Sequence, residues 1–231
     1  MCTSTSALLL LCGSAFFQAL QGSETHPADV RFAVMLNPET EGVYGIYRFT
    51  DGSGSAGTGD HLDMGYRVEV GLVTRLVQWT PQLALVGGGW VFYADQESSG
   101  TTVIGEVVSG PMSYLTLGVD LHAAVEARFN HWFSLEAGPV VGAGTTRFSD
   151  TVAVVGDPAS ASEETGHGEY VEAGLNLGLF VRNTRGSALF SLGLRYLVSY
   201  GEADNRFAGL EQDVEIRQHG FAPYVMAGLT F

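Results

Sequence analysis

The sequence has no lysine. Its eleven basic residues are all arginine, set against twenty-five acidic residues, and the net charge is −14. A chain this acidic is a poor partner for nucleic acid, which calls for clustered lysine and arginine. Cysteine is nearly absent: Cys2 and Cys12 both lie in the first twelve residues, so the rest carries no disulfide framework and no cysteine metal site. Long apolar runs are missing too. None approaches the roughly 18 residues that a membrane-crossing helix needs. The apolar stretch from Ala7 to Leu20 is too short to span a bilayer and fits the core of a targeting segment. Residues 1–22 are assigned to that segment and 23–231 to a single domain. Cys12 follows three leucines, and a leucine directly before it disfavours lipoprotein processing. There is no P-loop, no dinucleotide fingerprint and no HExxH, so no cofactor is expected.

Glycine, by contrast, is abundant at 31 residues, while charged residues make up only 16%. The glycines are interleaved with Leu, Val and Phe in an alternating pattern. In Tyr170 to Val181, Val171, Ala173, Leu175, Leu177, Leu179 and Val181 fall on one face, and Glu172, Gly174, Asn176 and Gly178 on the other. Period 2 means strand. The pattern predicts strands over 29–37, 61–74, 82–94, 111–128, 132–147, 169–182, 187–200 and 217–231. Residues 42–50 are also strand-like and are an alternative or an extension to the first. Strand 82–94 is apolar on both faces, which leaves its facing open. The connections alternate: 38–60, 95–110, 148–168 and 201–216 are long, whereas 75–81, 129–131 and 183–186 are short. A closed up-and-down barrel in an outer membrane has this asymmetry.

Alternation alone does not say which face meets lipid. Three features favour a membrane barrel over a soluble one. The less apolar face is mostly small, with Gly65, Gly71, Gly118, Gly142, Gly174 and Gly193, as a narrow lumen requires. Charge is sorted. The proposed interior holds Arg31, Arg67, Arg128, Arg182 and Arg195 against Asp63, Glu69, Asp120, Glu126, Glu136 and Glu172, while the long connections hold sixteen acids and only Arg48 and Arg206. Buried charges must pair, so a near-balanced interior set is consistent with burial. Aromatics gather toward strand ends: Trp79, Phe129, Trp132, Phe133 and Phe231 on the short-turn side, and Phe92, Tyr93, Tyr114, Phe148, Tyr170, Tyr200 and Phe221 on the other. Two interfacial girdles are expected of such a barrel.

The last strand, from Gly220 to Phe231, resembles the C-terminal signature of outer-membrane barrel proteins, with Phe221, Val225, Ala227, Leu229 and Phe231 alternating back from the terminal Phe; Pro223 departs from it. The overall plan is similar to the small OmpA/OmpX-like eight-stranded barrels over about residues 28–231, at the level of architecture. The resemblance implies an all-β closed antiparallel transmembrane barrel in a bacterial outer membrane. It also implies contact with outer-membrane lipid and lipopolysaccharide, and recognition of the terminal strand by the barrel-assembly machinery. No soluble domain is expected after the barrel.

Candidate chemistry is sparse. His131, Ser134 and Glu136 hold the residue types of a hydrolase triad, but on a short turn. His122 shares the interior face with Asp120, Glu126 and the other charges, and a structural hydrogen-bond network is the favoured reading. Glu163, Glu164 and Glu169, with Glu211, Asp213 and Glu215, are candidate ligands for divalent cations at acidic loops; they lack EF-hand spacing. The expectation is a non-enzymatic barrel with a plugged polar lumen and a structural or surface-interaction role. A narrow channel or small-ligand carrier, and a lipid-modifying enzyme, stand as alternatives.

Overall fold

A computed structural model describes residues 28–37, 42–49, 55–60, 63–98, 102–104, 107–183, 185, 187–207 and 210–231. The targeting segment assigned to 1–22 lies outside them. Eleven strands run in chain order: β1 (Ala28–Asn37), β2 (Gly42–Phe49), β3 (Ser55–Asp60), β4 (Gly65–Thr80), β5 (Leu83–Ser98), β6 (Thr102–Ile104), β7 (Val107–Arg128), β8 (Phe133–Val154), β9 (Asp157–Arg182), β10 (Ala188–Phe207) and β11 (Leu210–Thr230). Eight of them, β1, β4, β5, β7, β8, β9, β10 and β11, pair antiparallel with sequential neighbours. The ring closes where β1 pairs β11 from Asp29↔Thr230 to Met35↔Tyr224. Closure leaves the ring no unpaired edge, the condition for placing strands in hydrocarbon.

The β1–β11 ladder stops at Tyr224, one residue short of Pro223. A proline has no N–H to offer a neighbour. Beyond it the β2–β3 hairpin takes over, β2 pairing β11 from Arg217↔Gly42 to Leu210↔Phe49. On its other side β11 keeps register through Leu194↔Pro223.

The faces sort as alternation requires. Outward side chains are apolar and exposed: Val70, Val91, Leu117, Leu121, Val141, Leu175, Leu177, Leu192 and Val225. Inward positions hold the polar groups and glycines. Strand β5 turns Trp90, Phe92 and Ala94 inward and Val91 outward, which resolves its facing. The outward row from Val171 to Val181 covers ten residue steps. At about 3.4 Å per step and a tilt of about 40° it stands roughly 26 Å high, the height of a lipid-facing band. An apolar exterior around a charged interior is the arrangement of a transmembrane β-barrel.

Several boundaries differ from expectation. The segments read as long loops are largely strand. Residues 148–168 form a continuous hairpin, β8 running to Val154 and β9 starting at Asp157, joined through Val155 and Gly156. Gly156 has φ of +83°, a left-handed conformation that glycine adopts without strain. Likewise β10 and β11 pair out to Phe207↔Leu210. Above the lipid band the outer face of a strand meets water and need not be apolar, so the contrast between faces fades in the sequence although pairing continues and Val152, Ala203, Val214 and Ile216 stay buried on the inner face. On the opposite side β4 extends to Thr80 through two irregularities of register, which leaves Pro81 and Gln82 as the turn. The aromatic girdles also need correction. Trp79, Phe129, Trp132, Phe133 and Phe231 are exposed at the short-turn side, but Phe92, Tyr114, Phe148 and Tyr170 point inward and are buried. At the long-hairpin end the girdle includes, among the described residues, Tyr66, Tyr196 and Phe221, which are exposed, with half-buried Tyr93 and Tyr200.

Candidate functional site

The site follows from one consequence of period 2: every second residue of eight strands projects into a narrow interior. Many inward residues are glycine, alanine or serine, and these leave room for the long ones. At Gly142 an added methyl group would overlap the Asp120 carboxylate; at Gly193 it would overlap the Tyr224 ring. Glycine at these positions is the space that the neighbouring polar side chains occupy.

Two charge clusters result. The first lies midway along the lumen. Arg67, from β4, donates through Nε to Glu69 at 2.7 Å, through Nη1 and Nη2 to both oxygens of Glu172 at 2.7 and 2.8 Å, and also to Asp120. Its guanidinium lies 3.6 Å from the centroid of the Phe92 ring. Arg195, from β10, makes a two-pronged contact with Glu69 at 2.6 and 3.0 Å and reaches Asp120 at 3.3 Å. Tyr170 donates its hydroxyl to Glu172. All five charged side chains are at most 2% exposed. Two guanidiniums thus face three carboxylates, tied across β4, β7, β9 and β10.

The second cluster lies toward the short turns. Arg31 grips Glu136 with two hydrogen bonds of 2.7 and 2.8 Å, meets Asp29 at 2.8 Å, and packs 4.7 Å from the Phe180 ring centroid. Nearer the end, Arg75, Arg128 and Arg182 share Glu126, at 2.9, 3.0 and 3.5 Å. Here four guanidiniums face three carboxylates. Between the clusters His122 is buried, and neither ring nitrogen has a hydrogen-bond partner among the described residues.

The structure brings together Arg31, Arg67, Glu69, Asp120, Glu126, Glu136, Glu172, Arg182 and Arg195 as buried or part-buried partners in these clusters, with His122 between them and Arg128 at the rim, its side chain one-third exposed. Asp63 is the exception. It has the right parity but precedes β4, which begins at Gly65, and it is exposed beyond the lumen. Two participants, Arg75 and Asp29, lie outside the interior set expected from the sequence. The alternation ends a strand at 74 and so places Arg75 in a turn, whereas β4 runs to Thr80; Asp29 falls at the margin of the first expected strand. Both share parity with known interior residues, so carrying the alternation further would have found them. Toward the long hairpins, Phe92, Met112, Tyr114, Phe148, Tyr170, Val214 and Ile216 form a buried apolar cluster inside the barrel.

The remaining candidates do not assemble. Glu136 is clasped by Arg31, Ser134 is buried, and exposed His131 stacks edge-on against Trp132 with ring centroids 4.7 Å apart. The acidic residues lie on strands, Glu163, Glu164 and Glu169 in β9 and Glu211, Asp213 and Glu215 in β11. Among the described residues no group of three or more His, Asp or Glu could hold a metal ion. The terminal-strand residues Phe221, Val225, Ala227, Leu229 and Phe231 all point outward and are exposed.

No family model and no curated protein matches the chain. Solved structures with a similar course include the outer membrane protein OprG from Pseudomonas aeruginosa, at 13% identity, covering 89% of this chain and 95% of that one with a TM-score of 0.40. The outer membrane protease OmpT from Escherichia coli is 10% identical over 88% and 97%, with a TM-score of 0.44. The attachment invasion locus protein Ail of Yersinia pestis is 12% identical over 88% and 99%, with a TM-score of 0.27. The similarity is one of fold. The closed ring, the apolar band of bilayer height and the charged interior make this chain an outer-membrane β-barrel.

Proposed function

We propose that this protein is a non-enzymatic outer-membrane barrel with a plugged lumen, and that it acts at the cell surface through its acidic hairpins. One observation carries the reading: the cluster of Arg67, Arg195, Glu69, Asp120 and Glu172 bridges opposite walls with side chains at most 2% exposed, and the apolar cluster around Phe148 packs inside the barrel toward the long hairpins. Opening a continuous water path would require breaking several buried ion pairs at once. What remains for interaction is the outer rim, where β8–β9 and β10–β11 project past the lipid band and carry Glu163, Glu202, Asp204 and Glu215.

The absence of catalysis is supported by the hold of Arg31 on both oxygens of Glu136 and by the stacking of exposed His131 on Trp132. The names of the similar structures include an attachment protein and a protease, so the fold itself is neutral on this point. The outward row ending at Phe231 is the surface offered to lipid and, in this reading, to the assembly machinery. The deciding experiment is conductance of the purified full chain in planar bilayers. A plugged barrel gives no steady unitary steps, whereas regular ohmic steps would replace this reading with a narrow channel.

A further inference from the structure

The short-turn end of the lumen opens into a cavity of about 230 Å³. Four guanidiniums line it, those of Arg31, Arg75, Arg128 and Arg182, against the carboxylates of Asp29 and Glu126. The carboxylates are overcommitted. Glu126 serves three arginines. Asp29 serves Arg31 at 2.8 Å and Arg182 at 3.3 Å and also accepts from the Thr230 hydroxyl. Glu136, the next carboxylate inward, is already bound at both oxygens by Arg31. Among the arginine, aspartate and glutamate side chains, the four guanidiniums of this end exceed the carboxylates of Asp29, Glu126 and Glu136 by one. In addition, the Nε–H groups of Arg31, Arg75 and Arg182 are buried without a hydrogen-bond partner among the described residues.

We propose that this cavity is a binding site for a phosphate group. Its walls offer what an oxyanion needs: several guanidinium forks, partial exclusion of water, and a charge that one anion would balance. Size restricts the ligand. Pockets for drug-sized molecules run to about 300–1,000 Å³, so this cavity takes an inorganic oxyanion or one terminal phosphate, not a nucleotide or oligosaccharide. The mouth is water-accessible, since Arg128 is one-third exposed there. The cavity is separated from the acidic hairpins by the length of the lumen, and the proposal is independent of the surface role above.

Phosphate chemistry has two sources at such a site, a free ion and a lipid headgroup from the adjoining leaflet. The test separates them. The folded full chain in uncharged detergent is titrated with inorganic phosphate at ionic strength held constant with chloride, reading the thermal midpoint of the folded band and the ³¹P line width. A second arm replaces phosphate with phosphatidylglycerol in the micelle. The expected result is a saturable rise of the midpoint in the first arm, with apparent affinity lowered about tenfold in Arg128→Gln, as loss of a charge-assisted contact requires. Arg217→Gln, at the far end on β11, keeps wild-type affinity. A saturable rise with phosphatidylglycerol alone would assign the same site to a headgroup. Arg128→Gln removes a part-exposed side chain, so folding is retained and the comparison stays readable. The proposal fails if neither arm shifts the midpoint beyond the chloride control, or if Arg128→Gln binds as tightly as wild type.

Discussion

The two charge clusters of the lumen use the same chemistry to opposite ends. The middle cluster is closed: Arg67 and Arg195 are fully buried, every carboxylate has at least one guanidinium, and aromatic rings lie against it. The end cluster is open: Arg128 is one-third exposed, three arginines share Glu126, and a cavity remains. The difference teaches that charge in a lumen is not by itself a plug. Each cluster is off balance by one charge, and the middle one also holds buried atoms unpartnered among the described residues, Asp120 Oδ1 and Arg195 Nε, so whether a cluster seals or receives depends on what packs over it. Desolvation makes an unmatched group costly in the first environment and tolerable in the second.

The comparison breaks most directly at Arg67. Arg67→Ala leaves Glu172, Asp120 and Glu69 short of a buried partner and is expected to cost about 3–5 kcal/mol, read as the shift in urea midpoint of the folded barrel in lipid vesicles. A loss below about 1 kcal/mol, the range of exposed pairs, would mean that the middle of the lumen is hydrated. Next in size is Gly193→Leu. Its side chain must enter the space of the Tyr224 ring, and overpacking of this kind costs about 1–3 kcal/mol; an unchanged midpoint would show that the interior is loose. Arg128→Ala, at the open end, should cost about 1 kcal/mol or less, and the loss should shrink with added salt because the pair is screened by water. An equal penalty for Arg67→Ala and Arg128→Ala would erase the distinction between the clusters.

Much of this arrangement is legible in the sequence, for a physical reason. Inside a bilayer one face must be apolar and the other is free to be polar, so alternation is enforced and places Arg31, Glu69, Asp120, Glu172 and Arg195 on the inward face. Legibility ends where the enforcement ends. Above the lipid band the outer face of the β8–β9 hairpin meets water, with Thr151 and Glu163 exposed while Val152 stays buried on the inner face, and Gly156-Asp157-Pro158 reads as a broad loop although the turn is only Val155 and Gly156. Aromatics carry the other ambiguity. Phe148 and Phe221 are equally compatible with a girdle or a core; pairing decides, and Phe148 faces inward while Phe221 faces out. Strand β5 shows the same limit. With apolar residues on both faces its facing is fixed only by neighbours: Phe92 lies opposite Glu69 and Gly118, both inward.

The smallest expected effect concerns which end faces outward. A short epitope inserted between Val155 and Gly156 enters a turn where both residues are exposed and a side chain on Gly156 would meet nothing within 4 Å. Lengthening a loop adds only about 0.6 kcal/mol per doubling, and the ladder below, from Val154↔Asp157 onward, is untouched. The barrel should fold with a midpoint close to wild type and be labelled on intact cells. The short turn at Asn130 is built differently. Its side-chain oxygen accepts from the backbone N–H of Trp132 at 2.7 Å and of Phe133 at 2.9 Å, which fixes the start of β8. An insertion there should lower the midpoint, and any folded product should be labelled only after the cells are opened. Labelling at Asn130 on intact cells with none at Gly156 would turn the barrel over. The open arginine cluster would then face the outside, and the acidic hairpins would lie in the periplasm.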